Sequence, residues 1–310
     1  MTKTCSRSEA GCHGALYRQE RRVPRLMRRD LIAARLFLKG GTMEETEITF
    51  SFGRNWKDYL KTAGKEEVER AKADIDEWLG ANYVSGRTVL DIGSGSGIHS
   101  LAFHLLGAKM VCSFDYDAHS VEATKLLWEK EGKPENWVVS HGSIVDENCI
   151  TSLGKGFDIV YAWGVLHHTG AMWEAIDNSI SLVKPGGTLW ISLYAKGPRH
   201  SRDLALKQRY NSASPLGKKW MIYNRVGRVV LSRLGHFRNP FTWNEKKGRG
   251  MNVYHNIVDW LGGLPYEVAS EDEVVRACRK KGLILERIKV KREGGCSIYV
   301  FRNLIGTDPV

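Results

Sequence analysis

Residues 87–100, Arg-Thr-Val-Leu-Asp-Ile-Gly-Ser-Gly-Ser-Gly-Ile-His-Ser, constrain this chain more than any other stretch. An apolar run reaches an acid, passes into a loop with glycine at every second position, and opens on a helical pattern. Gly93, Gly95 and Gly97 carry no Cβ and can take positive φ, so the loop's N–H groups can approach a ligand closely. The unit predicts a buried strand, a ligand-cradling turn and a helix, and hence a parallel α/β sheet with its site at the carboxyl end of that strand.

Charge discriminates among the ligands such a loop can hold. A dinucleotide loop is spaced G-x-G-x-x-G and sets a pyrophosphate on a helix N-terminus. Here the spacing is G-x-G-x-G, and Asp91 faces the same loop, where it would repel a phosphate. S-adenosylmethionine (SAM) has no phosphate and carries a sulfonium and an ammonium, so an acidic glycine loop suits it. The run Lys109-Met-Val-Cys-Ser-Phe-Asp115 reads as the next strand and ends 22 residues after Gly93. A carboxylate there can accept from both ribose hydroxyls, which makes Asp115 the expected ribose anchor.

Five segments in order carry a wider resemblance. They are Val-Leu-Asp-Ile-Gly-Ser-Gly-Ser-Gly, then Ser-Phe-Asp-Tyr-Asp, then His-Gly-Ser-Ile-Val-Asp at 141–146, Phe-Asp-Ile-Val-Tyr-Ala-Trp-Gly-Val-Leu-His-His at 157–168, and Leu-Val-Lys-Pro-Gly-Gly-Thr-Leu at 182–189. Over about residues 85–195 the chain resembles the class I SAM-dependent methyltransferases, within them the small-molecule group that includes ubiquinone-biosynthesis O-methyltransferases. The resemblance implies a Rossmann-like seven-stranded sheet with helices on both faces, SAM as cofactor and S-adenosylhomocysteine as product. It places Asp91, Gly93, Ser94, Gly95 and Gly97 around the methionine moiety, Asp115 on the ribose, Tyr116 on the adenine face, and Trp163 on the methionine side. The family often shows Gly-Asp-Ala in the adenine region, where this chain has Gly142-Ser143-Ile144, so Ser143 offers a neutral acceptor in place of an acid.

The pattern divides the 310 residues into five segments. Residues 1–42 form a basic extension without a strand pattern, and 24–38 within it fit a short basic amphipathic helix. An organellar targeting segment, a membrane-surface helix and an upstream extension of a reading frame starting at Met43 are three explanations of it, and the third is preferred. Residues 43–84 are expected to form a helical cap, with Trp56, Tyr59, Leu60, Val68, Ala71, Ile75, Trp78 and Leu79 at helical spacing and Gly80 as the stop. Trp56 is a candidate cofactor contact. Residues 85–194 hold the SAM-binding core, with strands near 88–92, 109–114, 136–140, 157–162 and 187–194 and helices near 97–107, 118–131 and 171–183. A helical lid at 195–265 interrupts the unit after the fifth strand. Residues 266–310 complete the core with a helix at 271–281 and strands near 283–291 and 296–302.

The net charge of +11 is segregated. Residues 1–42 hold ten Lys/Arg against three Asp/Glu and residues 195–250 fourteen against two, which leaves the rest at −8. An acidic cofactor-binding body with a basic insertion implies an anionic partner for the insertion: a substrate phosphate or carboxylate, a membrane surface, or nucleic acid. A small-molecule substrate is expected, with peripheral membrane contact through the basic segments open. Nucleic acid is disfavoured because Ala-Trp-Gly-Val follows the fourth strand where amine-directed base methyltransferases carry Asn/Asp-Pro-Pro-Tyr/Phe. No apolar run reaches the roughly 18 residues of a membrane span, and the six cysteines form no C-x-x-C pair, so a reducing, cytoplasmic setting is expected. Cys5, Cys12 and His13 are the only metal-like grouping, and no metal is assigned.

Methyl transfer from a sulfonium is an in-line displacement that asks the protein to align donor and acceptor in a dry pocket. A hydroxyl acceptor gains from a base within hydrogen-bond reach. His167 and His168, just past the fourth strand, are the first candidates, and His168 matches a histidine many small-molecule methyltransferases carry in this loop. His255 and Asp259 follow, four residues apart and so on one helix face. Oxygen is the favoured acceptor, on an anionic, sugar-like or phenolic metabolite. An RNA or protein methyltransferase and a non-catalytic SAM-binding protein are the alternatives.

Overall fold

The computed structural model describes residues 53, 56, 60, 64–154, 156–244, 253–291 and 295–304. The basic extension 1–42, its 24–38 segment and Cys5, Cys12 and His13 lie outside the described residues, as does most of 43–63. No described helix is long and apolar enough to cross a membrane.

Helix α1 (Lys65–Leu79) buries Ala71, Ile75 and Trp78, spaced four and three apart as one helical stripe requires. It ends at Gly80, whose φ of 98° suits only glycine without strain. Then β1 (Thr88–Ile92), α2 (Ile98–Leu105), β2 (Met110–Asp115), α3 (Ala118–Lys130) and β3 (Trp137–His141) form successive parallel βαβ units. A short helix α4 (Glu147–Leu153), β4 (Phe157–Trp163), a 3₁₀ turn at Leu166–His168, α5 (Met172–Ser181) and β5 (Val183–Tyr194) continue them. Three helices follow, α6 (His200–Ser212), α7 (Pro215–Gly235) and α8 (Val253–Gly262), with a 3₁₀ turn at Pro240–Thr242. The chain returns through α9 (Glu271–Lys280), β6 (Leu283–Lys289) and β7 (Cys296–Asn303).

The seven strands run in the order β3-β2-β1-β4-β5-β7-β6, with β7 antiparallel to both neighbours. Alternation along each strand feeds two core layers. Leu90 and Ile92 of β1 join Val160 and Ala162 of β4 on one face, and Val89 joins Ile159, Tyr161 and Trp190 on the other. The order in which strands are added reverses between the parallel strands β1 and β4, so their carboxyl ends open a crevice, the usual ligand position of such sheets.

Two elements differ from the sequence expectation. Helix α4 was not expected; Asp146 caps it by accepting from the Asn148 amide at 3.0 Å, and its seven residues are too few to show a period. Strand β5 begins at Val183 rather than near 187, because Val183 pairs with Phe157 before Lys184-Pro185-Gly186-Gly187 loops out and pairing resumes at Thr188–Ile159. The segment after β5 has a small core of its own, built on Tyr210, Met221, Ile222, Val226, Val253, Ile257 and Leu261.

Candidate cofactor and acceptor site

The glycine loop follows β1 at the crevice. Gly97 stands at the N-terminus of α2 with φ 77°, and a Cβ on it would come within 2.8 Å of Thr124 Cα. Gly95 takes φ 55°, and a Cβ there would sit 3.1 Å from Trp56 Nε1, so the indole lies directly against the loop. The Ser94 hydroxyl pairs with that of Thr124 at 2.9 Å, tying the loop to α3.

Two acids frame the loop by different means. Asp91 is buried, and its Oδ2 accepts from the Ser100 hydroxyl. Ser100 in turn accepts from Ser113 at 2.8 Å, and Ser113 from the Trp137 indole N–H at 2.9 Å. This relay crosses α2, β2 and β3 and orients the carboxylate from below the sheet edge. Asp115, at the end of β2, accepts from the Gly95 amide through Oδ2 and from the Asp117 amide through Oδ1, each at 2.9 Å. Burial, with the like charges of Asp117 and Asp91 adding to it, pushes its carboxyl up to about 7 against those two hydrogen bonds.

This donor set fits SAM. Each Asp115 oxygen has one lone pair engaged by the loop and a second suited to a ribose hydroxyl, while the loop glycines leave the space a Cβ would fill. A pair of carboxyls at the loop favours a cationic ligand over a phosphate.

The remaining predicted cofactor residues divide. The Tyr116 ring stacks on His141 at 6.2 Å, and His141 Nε2 lies 2.7 Å from the Tyr116 carbonyl, so both belong to the β2–β3 end of the crevice. Ser143 is buried with its hydroxyl accepting from the Val145 amide at 3.3 Å. Ile144 is buried, its side chain in the core layer with Phe114 and Leu166. Trp163, half-buried at the end of β4, packs its ring on Tyr161 and Trp190.

The two histidines after β4 have separate tasks. His167 is buried, its Nδ1 accepts from the Tyr194 amide at 3.3 Å, and its ring lies 4.1 Å from the Tyr194 ring. It is therefore part of the wall joining β4 to β5, which corrects its candidacy as a base through that nitrogen. His168 Nδ1 stands 2.6 Å from the Pro265 carbonyl, which can only accept, so Nδ1 carries the proton and Nε2 the lone pair. Burial, joined by the Lys207 charge and opposed by the Pro265 bond, brings His168 down to about 4 and keeps it neutral.

Lys207 is the functional candidate that sequence pattern missed. It lies on α6 with no exposed surface, and its ammonium donates to the Trp260 carbonyl. The rings of Trp260, Tyr266 and Tyr194 stand 4.5, 4.6 and 5.5 Å from Nζ. Desolvation lowers it to about 7, with Asp203 and Asp259 opposing that shift. A lysine in a segment this basic reads as solvated, and the sequence around it offers only Tyr210, three residues on, as an aromatic neighbour at helical spacing. Asp259 is brought to this group by its charge, whereas His255 is buried on α8 beside Tyr254. Of the four sequence-predicted catalytic candidates, His167 and His168 have rings 4.4 Å apart and both feel the charge of Lys207, as Asp259 does, whereas His255 lies beside Tyr254.

The geometry has counterparts among known proteins. A family model described as "Methyltransferase domain" matches residues 55–229. The ubiquinone biosynthesis O-methyltransferase of Bordetella avium is 30% identical over 182 residues, covering 49% of this chain and 73% of that protein. The ribosomal protein L11 methyltransferase of Photobacterium profundum is 33% identical over 116 residues, 37% of this chain and 36% of the relative. The ubiquinone biosynthesis O-methyltransferase of a Bradyrhizobium strain is 31% identical over 138 residues, 43% and 48% respectively. The chain thus spans between a third and a half of the length of these last two relatives. The fold and the glycine loop with its two acids define a class I SAM-dependent methyltransferase. The chain belongs to the methyltransferase domain family, and the relatives it matches include both ubiquinone biosynthesis O-methyltransferases and ribosomal protein L11 methyltransferases.

Proposed function

We propose that this protein methylates a hydroxyl of a small metabolite, with His168 as the base that receives the hydroxyl proton. The observation that carries the proposal is the Pro265 contact, which assigns the proton to Nδ1 and the lone pair to Nε2 at the crevice end of β4. SAM supplies, when bound, a methyl group on a sulfonium. Asp115 and the space left open by the loop glycines hold the cofactor, Asp91 offsets its positive charge, and the buried walls around Tyr194 exclude water from the acceptor side. His168 orients the acceptor oxygen by accepting its hydrogen bond and keeps the proton on Nε2 as the oxygen becomes an ether.

The acceptor we assign is phenolic or sugar-like and anionic. Tyr194 and Tyr266, with rings 5.0 Å apart, support an aromatic acceptor, and the charge of residues 195–250 supports an anionic one. Incubating the protein with radiolabelled SAM and a metabolite panel tests the reading. Label in a phenol or sugar ether, lost in His168→Ala while SAM binding persists, is the expected result. Label in an amine or in protein overturns it.

A further inference from the structure

We infer that α7 and the turn after it form a docking surface for an anionic phospholipid membrane, a surface separate from the methyl-transfer site and independent of the acceptor proposed above. Helix α7 has two apolar faces. Met221, Ile222 and Val226 are buried against α6 and α8, as an amphipathic helix requires. Leu216, Trp220, Tyr223, Leu231 and Leu234 follow one another at intervals of four, three, eight and three, a second stripe along the helix, and all are exposed. Trp220 and Tyr223 are each 63% exposed, and beyond the helix Phe237 is 100% and Phe241 91% exposed. Single exposed apolar side chains are ordinary, but a stripe running roughly 30 Å along one helix and ending in two bare phenylalanines is not.

Charge selects the occupant. Across its 21 residues α7 carries Lys218, Lys219, Arg225, Arg228 and Arg233 and no acid. Beside the phenylalanines a cleft of about 560 Å³ is lined by Arg225, Arg228, Arg233, His236, Arg238 and Ile257. Arg225 lies over the Trp260 ring at 3.9 Å and has Asp203 nearby. Arg233 holds the turn together through the Asn239 carbonyl and the Thr242 hydroxyl. Arg228 and Arg238 have no carboxylate within ion-pair distance among the described residues. Aromatic and leucine side chains flanked by arginines match the interface of an anionic bilayer, where rings lie at headgroup level and guanidinium groups meet lipid phosphates. A second copy of the chain in a two-fold contact would set this cationic helix against itself. Nucleic acid would satisfy the arginines and leave the leucine stripe in water.

Flotation of the full-length protein with vesicles of phosphatidylcholine alone, and of phosphatidylcholine mixed with phosphatidylglycerol, tests the inference. Binding to the mixed vesicles alone, weakening as salt rises, is expected. Phe237→Ser with Phe241→Ser should reduce partitioning about tenfold, and Arg228→Gln with Arg238→Gln about thirtyfold. All four side chains are exposed or without ion pairs in the described residues, and an unchanged thermal midpoint would show that both variants fold. Undiminished binding by both variants would overturn the inference, because the attachment would then lie elsewhere on the chain. Equal binding to neutral vesicles, no binding to either, glycerol phosphate competing at low millimolar concentration, or a dimer dispersed by Trp220→Ser would overturn it too.

Discussion

The sheet body and the helical insertion solve the burial of polar groups in opposite ways. In the body, two buried carboxylates are held by sets of side-chain donors: Trp137 to Ser113 to Ser100 to Asp91, and Thr88, Lys184 and Arg87 converging on Asp158. In the insertion, the fully buried Lys207 meets one carbonyl and three aromatic rings. The body can therefore hold a charge at fixed geometry, as a cofactor site needs. The insertion holds a charge at the edge of its ionised range, where docking onto Tyr194 and Tyr266 of the body becomes sensitive to pH. The body carries the glycine loop and its two acids, and the basic insertion sets Lys207 against the rings of Tyr194 and Tyr266.

The largest test of that contrast is on the body. Asp115→Ala should weaken SAM at least about a hundredfold by calorimetry, since hydrogen bonds to charged groups contribute about 1.5–3 kcal/mol each. Insertion substitutions should leave this affinity within about threefold; an equal loss from Lys207→Met would erase the division of labour. His168→Ala should lower kcat about a hundredfold with SAM affinity retained. His167→Ala should instead destabilise the fold by about 1–3 kcal/mol, because the Tyr194 amide loses its acceptor. If the two variants exchange these phenotypes, the assignment of base and wall is reversed.

Two pH dependences sharpen the comparison; both rise with pH, one below about 7 and the other above it. Ionised Asp115 is the form that accepts ribose hydroxyls, and its carboxyl is raised to about 7, so SAM affinity should fall up to tenfold per pH unit below about 7. Asp115→Asn, assayed by the same titration, should flatten the profile. Lys207 is lowered from 10.5 to about 7, so the unfolded chain binds the extra proton between those values and stability should rise with pH across that window. Below about 7 both states are protonated and that contribution is gone. Lys207→Met should remove the slope in thermal melts from neutral to alkaline pH. The smallest effect belongs to Lys218→Gln with Lys219→Gln, expected to raise the acceptor KM about threefold through lost electrostatic attraction; an unchanged KM would remove the anionic character from the proposed acceptor.

Much of the body was legible in sequence because its information is local. Val89 and Leu90 alternate between the two core layers, Gly97 opens a helix, and Asp115 ends the next strand. A period of two and a period near 3.6 survive in any context that buries one face. Helix α4 escaped because it is short. The two histidines looked equivalent until Pro265, 97 residues away, and Tyr194, 27 residues away, gave them different hydrogen bonds.

By itself, then, the sequence determined a parallel sheet, a glycine loop framed by two acids, and a segregated charge, since each follows from steric rules acting over a few residues. Only the tertiary structure decided which histidine carries its lone pair on Nε2, that Lys207 is buried among Tyr194, Trp260 and Tyr266, and which stripe of α7 faces outward. Burial sets protonation and exposure, and burial is a property of neighbours that arrive from distant parts of the chain.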